Sequence, residues 1–412
     1  MAWERGADYG HVMRFATLGR ELVRRGHEPV LVLKDLTYAE ALLAGQGLTV
    51  LQAPLWLGSV SGLPPPASFA ETLLRLGFLH PMALTGVCRA WLSLVALFQS
   101  DLLVCDYAPT ALLATRGLGL ARINIGESFG VPPRTQPMPI YRPWRPEPPA
   151  RVAQAEQHAL NGANAVLTRL GLPPLRCLAE LMEVDDEIIT TFAEFEQYPG
   201  RVGGHYAGGM SDPGQGVPPE WPLVDGPRVF AYIKPGTRDF EPVLKALRAL
   251  EVAAVVHAPG MSTAMQHRHL AANIRFSERP LRMVDVCREC DIAICHAGAN
   301  TVQALVVSGK PLLLLPTHVE QMMTAKAVQH LGAGLVVDYE RPAPDYRKLM
   351  KRLIDEPAFA AAAQAVAARH VDDDPAARLA AVADRIEAVI ATRHGKQAFS
   401  PGSRPQSNDR SG

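Results

Sequence analysis

The sequence predicts an α/β protein of two domains, each built on a doubly wound parallel sheet and facing the other across a central cleft. Short apolar runs typical of buried parallel strands alternate with amphipathic helical patterns in both halves of the chain. A segment rich in glycine and proline, residues 198–226, separates the halves. The length of 412 residues is sufficient for two domains of ordinary size.

In the first half, residues 1–4 predict a first strand that leads through a glycine-rich turn into an apolar helix, as in the first unit of a doubly wound sheet. Further strands are predicted at 29–34, 101–105 and 121–125, with helices at 14–24, 81–98 and 110–115. A first strand usually has about five or six residues. We therefore expect the native chain to start upstream of Met1.

In the second half the alternation is more regular. Strands are predicted at 228–233, 252–257, 273–276, 292–295, 312–315 and 334–337, and helices at 241–250, 281–289 and 320–331. Asp374 as N-cap and Pro375 at the first helical position predict a further helix.

The predicted organisation follows from these patterns. It is a Rossmann-like domain over 1–200, a linker over 201–226, a second Rossmann-like domain over 227–374, a carboxyl-terminal helix over 375–392 and a disordered tail over 393–412.

Charge and composition exclude several classes of partner. Lysine plus arginine equals aspartate plus glutamate, at 41 each, so we expect no bulk attraction to nucleic acid or to anionic membranes. No apolar run reaches the ~18–20 residues of a membrane span, and the start lacks a signal-peptide pattern. The six cysteines show no disulfide spacing, which favours the reducing cytoplasm.

Two short patterns have the residue types of metal sites. Cys287 and Cys290 form a Cys-x-x-Cys pair, but no second ligand pair stands at zinc-site spacing, and ordinary helix-end cysteines are the better interpretation. The aspartates 372–374 precede a helix, where capping and the helix dipole explain them. We therefore expect no metal.

The most informative segment joins the strand at 292–295 to the helix after it. Its turn contains His296 and the small residues Gly298 and Ala299, followed by Asn300 and Thr301. The first backbone N–H groups of a helix are unpaired and carry about half a positive charge from the helix dipole. The segment predicts a phosphate or diphosphate site, with the imidazole and the threonine hydroxyl as additional donors.

A second candidate group lies in the amino-terminal half. His11 stands in the first glycine-rich turn and Asp106 ends the strand at 101–105, so the topology places both at the carboxyl edge of one sheet. A histidine oriented by a carboxylate can act as a general base. The alternatives are that His11 only bonds the turn and that Asp106 caps the following helix.

Further polar residues follow strands of the second half. Glu320 and Gln321 open a helix and are suited to sugar hydroxyls, although a glutamate there also simply complements the helix dipole. Lys234 and Thr237 follow the strand at 228–233, where the lysine would neutralise a phosphate or remain a solvated loop residue. The proline-rich segment 129–149 predicts either a surface crossover or the rim of an apolar cleft.

Together these residues resemble the nucleotide-sugar glycosyltransferases of GT-B fold, in particular the UDP-glycosyltransferase superfamily with its bacterial macrolide and flavonoid members. The resemblance rests on Gly10-His11-Val12 with Gly26-His27, on the segment 296–301, and on Glu320-Gln321 with the glycines that follow near 332–334. In order and spacing it spans nearly all of residues 1–390.

The resemblance implies an inverting glycosyl transfer without a catalytic metal or other cofactor, the nucleotide sugar being a substrate. His11, assisted by Asp106, would deprotonate an acceptor hydroxyl. His296 with residues 298–301 would hold the diphosphate, Glu320 and Gln321 the donor sugar, and residues 273–284 the nucleobase. The last helix would cross back to the first domain.

Several points stay open at this stage. Many relatives carry a glutamate for the ribose where this chain has Ala304, with Gln303 beside it, so UDP and dTDP sugars are both candidates. The acceptor segments, roughly 54–96 and 126–149, are apolar and indicate a small hydrophobic acceptor. Four alternatives remain. The protein could use a lipid acceptor with peripheral membrane contact, or it could be an epimerase. It could also be a non-catalytic nucleotide-sugar-binding protein, or an NAD-dependent oxidoreductase that uses Asp35 to bind a ribose.

Overall fold

Two parallel sheets organise the chain. The computed structural model describes residues 1–6, 9–37, 39–210, 214 and 216–398. The strands of the amino-terminal sheet are β1 (Ala2–Trp3), β2 (Val30–Leu33), β3 (Thr49–Gln52), β4 (Leu102–Asp106), β5 (Ala121–Gly126), β6 (Asp186–Ile189) and β7 (His205–Tyr206). Their order is β3-β2-β1-β4-β5-β6-β7, and every neighbouring pair is parallel.

The carboxyl-terminal sheet has the same construction. Its strands are β8 (Arg228–Tyr232), β9 (Ala253–His257), β10 (Ile274–Ser277), β11 (Ile292–Cys295), β12 (Leu312–Leu314) and β13 (Gly334–Val336). They are arranged in the parallel order β10-β9-β8-β11-β12-β13. In both sheets the strand order reverses beside the first strand, which creates a crevice at the carboxyl ends.

Helices connect the strands. In the first half they are α1 (Tyr9–Arg24), α2 (Ala39–Leu43), α3 (Phe69–Leu73), α4 (Pro81–Leu97), α5 (Pro109–Thr115) and α6 (Pro149–Leu170). In the second half they are α7 (Phe240–Arg248), α8 (Thr263–His269), α9 (Met283–Glu289), α10 (Ala299–Val306), α11 (Val319–His330), α12 (Tyr346–Asp355), α13 (Pro357–Ala367) and α14 (Pro375–Ala398).

Alternating side chains of each strand enter different cores, as expected for a sheet covered on both faces. In β4, Leu103 and Cys105 pack into one cluster and Val104 into another. In β8, Val229 and Phe230 likewise pack into two different clusters. The predicted fold class, two doubly wound α/β domains, is confirmed.

The final helix returns to the amino-terminal domain. The guanidinium group of Arg25 contacts the carboxylates of Asp384 at 2.6 Å and Glu387 at 2.8 Å, and Arg385 contacts Asp186 at 2.6 Å. The helix runs to Ala398, six residues beyond its predicted end at 392. The rest of the predicted tail, residues 399–412, lies outside the described residues.

The predicted linker is also partly structured, since β7 lies within residues 201–226 and extends the first sheet. No single helix in the described part of the chain is long and apolar enough to cross a membrane. The pair Phe69–Phe78 and Pro81–Leu97 together has that length and composition, but the two segments are bent by 86°.

Candidate active site

The carboxyl ends of the strands in both sheets border one large cavity. Its volume of about 1110 Å³ exceeds the roughly 300–1,000 Å³ typical of a pocket for one small molecule. Residues that follow β1, β2, β4 and β5 form one wall, and residues that follow β8 to β13 form the other. The cavity therefore has room for two ligands, one against each domain.

His11 and Asp106 meet at the amino-terminal wall. The imidazole Nδ1 donates to Asp106 Oδ2 at 2.9 Å, across 95 residues of sequence. The ring is 15% exposed and stacks on Trp3 with a centroid distance of 4.9 Å. With Nδ1 bonded to the carboxylate, Nε2 retains its lone pair, which is the arrangement of a general base.

Asp106 is buried at 1% exposure and remains an anion. Burial by itself would raise the pKa of this carboxyl, but the charges of Arg14 and His11 outweigh burial and hold the pKa below its ordinary value. Asp106 does not cap α5. The carboxylate of Glu4 does so instead, accepting from the backbone N–H groups of Thr110 at 3.0 Å and Ala111 at 2.7 Å.

A glycine gives His11 its position. Gly6 has a φ of +94°, and a Cβ atom at this position would lie 2.1 Å from His11 Nε2. Any side chain here would displace the ring and strain the backbone.

The start of α10 faces the cavity from the other domain. Gly298 is the N-cap residue, with extended backbone and no side-chain cap. Gly298, Ala299, Asn300 and Thr301 all line the cavity. These residues present the amide groups expected to bind an anion.

Strained residues occur at matching places in the two domains. Tyr107 (φ +48°) directly follows Asp106, and Ala297 (φ +61°) directly follows His296. Non-glycine residues in this region cost free energy of order 1–3 kcal/mol and cluster at functional sites.

His296 lines the cavity, and both of its ring nitrogens are bonded within its own domain. The ring is buried, Nδ1 donates to the carbonyl of Leu315 at 2.9 Å, and Nε2 accepts from the backbone N–H of Lys234 at 2.8 Å. Burial lowers the pKa of the imidazole, which favours the neutral form. In this conformation the ring connects the ends of β8 and β12, and its single N–H group already donates to the carbonyl of Leu315.

Of the other predicted residues, Lys234, Glu320 and Gln321 line the cavity and Thr237 does not. The Thr237 hydroxyl donates to the carbonyl of Lys234 at 2.9 Å and so closes the turn. The side-chain oxygen of Gln321 accepts from both the backbone and the hydroxyl of Thr317 at 2.9 Å, which fixes its orientation.

Glu127 directly follows β5 and faces Glu320 across the cleft. It was not predicted as a site residue. Removal from water, and then the neighbouring Glu127 carboxyl, raise the pKa of Glu320 to about 8, although Arg14 acts in the opposite direction. Glu320 is therefore expected to hold its proton at neutral pH. Both residues line the cavity, one from each domain.

The raised pKa makes a prediction about stability. In the folded protein Glu320 holds its proton up to a pH of about 8, against an ordinary value of 4.5. Its contribution is complete below the unfolded pKa and is lost as the pH rises through the folded value. We expect the free energy of unfolding, from denaturant titrations between pH 4.5 and 8, to fall less steeply in Glu320→Gln than in the wild type. Glu40→Gln, at an exposed site on α2, should follow the wild type, and equal slopes in all three would contradict the assignment.

Aromatic side chains form the apolar part of the amino-terminal wall. Phe129 packs on Tyr107 at a centroid distance of 5.9 Å and on Tyr141 at 4.7 Å, and all three line the cavity. The predicted cleft rim at 129–149 is therefore present in part. Trp144 is 43% exposed and is not among the lining residues.

The described residues do not form the alternative sites. No group of three or more potential ligands among them is arranged to hold a metal ion. Cys287 and Cys290 are buried, and the Cys287 thiol donates to the carbonyl of Ala304 at 3.3 Å. Asp35 bonds Thr37 instead of lining the cavity, so the structure does not favour a dinucleotide site there.

Known proteins resemble this chain in sequence and in fold. Residues 241–389 match the family model for the erythromycin biosynthesis protein CIII-like C-terminal domain. The aklavinone 7-beta-L-rhodosaminyltransferase of Streptomyces galilaeus is 28% identical over 197 residues, which are 45% of this chain and 44% of that protein. The chain spans less than half the length of the curated relatives that it matches.

Solved structures extend the similarity to almost the whole chain. The calicheamicin glycosyltransferase CalG4 superimposes with a TM-score of 0.67 at 20% identity, covering 95% of this chain and 97% of that one. The spinosyn rhamnosyltransferase SpnG, solved with thymidine diphosphate, gives a TM-score of 0.64 at 18% identity, covering 90% and 96%. At these identities the similarity establishes the fold.

Proposed function

We propose that the chain is an inverting glycosyltransferase of the GT-B UDP-glycosyltransferase superfamily. The match of residues 241–389 to the erythromycin CIII-like carboxyl-terminal domain and the similarity of the fold to that of CalG4 support this proposal. The enzyme would move a sugar from a UDP or dTDP sugar to a hydroxyl group of a small hydrophobic acceptor. One observation carries the proposal: an imidazole base and an open helix N-terminus face each other across a cavity with room for two ligands.

The acceptor side supplies the nucleophile. His11 Nε2 takes the proton of the acceptor hydroxyl, and Asp106 stabilises the imidazolium that forms. The deprotonated oxygen attacks the anomeric carbon from the face opposite the leaving group, which inverts the configuration there. The aromatic wall of Tyr107, Phe129 and Tyr141 suits an apolar acceptor.

The donor side stabilises the leaving group. Negative charge develops on the nucleoside diphosphate as the glycosidic bond breaks, and the amides of residues 298–301 are already oriented toward that charge. Lys234 on the same wall adds a positive charge. Glu320 and Gln321 then bind hydroxyl groups of the donor sugar. The thymidine diphosphate bound by SpnG supports this class of donor.

Product analysis tests the function directly. The chain is incubated with several UDP and dTDP sugars and with phenolic, macrolide and lipid acceptors, and products are detected by mass spectrometry. A product whose mass equals acceptor plus sugar minus water is expected, with inverted anomeric configuration by NMR. Correctly folded protein that gives no calorimetric heat with UDP or dTDP would overturn the proposal. Heat without any product would favour the non-catalytic alternative.

A substitution in α10 tests the diphosphate site. Ala299→Pro removes one backbone N–H at the first helical position, where proline is tolerated and where Gly298 (φ −65°, ψ 131°) already has a backbone compatible with a following proline. A hydrogen bond to a charged group contributes about 1.5–3 kcal/mol, so affinity for UDP or dTDP should fall about 10- to 100-fold. Isothermal titration calorimetry measures the change.

The matched control is Ala299→Ser, which keeps the N–H group and should bind as the wild type does. If folded Ala299→Pro also keeps the wild-type affinity, the diphosphate lies elsewhere.

A further inference from the structure

A buried arginine stands behind the candidate base. Arg14 follows His11 by one helical turn of α1, so both side chains lie on the same face of the helix. The guanidinium group is 2% exposed. One nitrogen donates to Asp106 Oδ2, and another donates to Glu127 Oε1 at 3.3 Å. The cation therefore lies between the carboxylates that end β4 and follow β5.

The contact with Asp106 is the informative one. The oxygen that accepts from Arg14 is the same oxygen that accepts from His11 Nδ1. Arginine keeps its charge at every pH that a protein survives. Its field inside the protein opposes a second positive charge on the neighbouring imidazole, while Asp106 favours that charge. Arg14 and the imidazole of His11 therefore meet at one carboxylate oxygen.

We propose that Arg14 is a positioning residue that keeps His11 unprotonated in the resting protein while it holds Asp106 in place on Nδ1. The imidazole is then available as a base at neutral pH, and the carboxylate remains there to stabilise the proton once the acceptor hydroxyl has given it up. The inference rests on the proposed function, but the protonation of His11 can be measured without any transfer.

The remaining charges around His11 set the direction of the expected effect. The ammonium group of Lys34 donates to the carbonyl of Gly6, the residue that packs against the imidazole, and Arg5 lies on the cavity wall. Both cations are present in the wild type and in every Arg14 variant, so they do not change the direction of the comparison. Of the described carboxyl groups near His11, Asp106 and Glu127 belong to the same domain and Glu320 faces them from the other domain. Loss of Arg14 removes a positive charge and leaves the negative charges of these carboxylates in place. His11 should therefore hold a proton more tightly.

The test compares Arg14→Gln, which removes the charge, with Arg14→Lys, which keeps it. In Arg14→Gln the acid limb of the kcat/KM–pH profile should move up by roughly one pH unit, because the variant loses a like charge that opposes protonation of the imidazole. Arg14→Lys should stay within a few tenths of a unit of the wild type. An arginine needed only for folding would lower the amount of active protein and leave the acid limb where it is.

A second readout needs no substrate. NMR of protein labelled with ¹³C-histidine, with the His11 signal assigned by its loss in His11→Gln, gives the titration midpoint of the ring. The midpoint should move up in Arg14→Gln by the same amount as the acid limb. An unchanged midpoint in folded Arg14→Gln overturns the inference, whether or not transfer is found. If the wild-type protein transfers no sugar, the proposed function is refuted, but the NMR test of Arg14 remains valid.

Arg14→Gln leaves the buried carboxylate of Asp106 and the half-buried carboxylate of Glu127 without their shared cation, which could prevent the variant from folding. The double variant Arg14→Gln/Glu127→Gln removes one cation and one anion and so keeps the buried charge balanced. Compared with Glu127→Gln alone, it should still show the His11 midpoint displaced upward. Identical midpoints in these two proteins would overturn the inference as well.

Discussion

His11→Gln is expected to lower kcat by at least about 10²-fold, because a positioned general base contributes roughly 10²–10⁴-fold to a rate. Glutamine fills a similar volume and can still donate to Asp106, but it has no nitrogen that accepts a proton. Affinity for the nucleoside diphosphate should remain within about twofold of the wild type, since the proposed diphosphate site at residues 298–301 belongs to the other wall of the cavity. Steady-state kinetics and calorimetry on the same preparation measure the two quantities.

The control for His11 is His158→Gln. His158 is exposed on α6 and is not among the cavity residues, so the same exchange should leave kcat unchanged. A wild-type rate in His11→Gln would show that another group removes the proton.

Asp106→Asn is expected to lower the free energy of unfolding by about 3 kcal/mol as well as the rate of transfer. Removal of one partner from a buried ion pair leaves the other charge without compensation, which costs about 3–5 kcal/mol. Arg14 keeps its contact with Glu127 at 3.3 Å, so we place the effect at the lower end. Denaturant unfolding at pH 7 measures it.

The same strand provides the control. Asp101 lies exposed just before β4, and Asp101→Asn should change the free energy of unfolding by less than about 0.5 kcal/mol. If the two variants are equally stable, Asp106 and Arg14 do not form the ion pair that their contact indicates.

The alternation of strands and helices was predictable because the strands of a parallel sheet covered on both faces are continuously apolar. β11 (Ile292–Cys295) and β12 (Leu312–Leu314) are examples, and both were predicted within one residue. The cavity edge followed from topology, since Asp106 ends β4 and residues 298–301 lie in the turn and helix that follow β11.

The elements that were missed have weaker patterns. α6 (Pro149–Leu170) contains several polar residues and follows a proline-rich segment, and its close approach to the turn before α4 depends on Gly162, where a Cβ would lie 1.9 Å from the carbonyl oxygen of Phe78. β6 and β7 are short strands at the edge of the sheet. Only their pairing with β5 and with each other distinguishes them from loop.

The network around the base was partly within reach of the sequence. Glu127 follows a predicted strand as Asp106 does, and Arg14 stands three residues after His11 among apolar positions of a core-facing helix. Both signals were present. The bonding of His296 was not predictable, because its two partners, Leu315 and the N–H of Lys234, come from different strand ends that meet only in the folded domain.

The return of α14 to the first domain has a mechanical consequence. The chain crosses between the two sheets twice, once between β7 and β8 and once just before α14, which the ion pairs of Arg25 and Arg385 anchor to the first domain. Two bodies joined at two points rotate most easily about the line through both joints, while sliding and twisting are opposed. The two domains should therefore open and close by a hinge rotation about this line. Each closure would return α10 to the same position opposite the imidazole of His11.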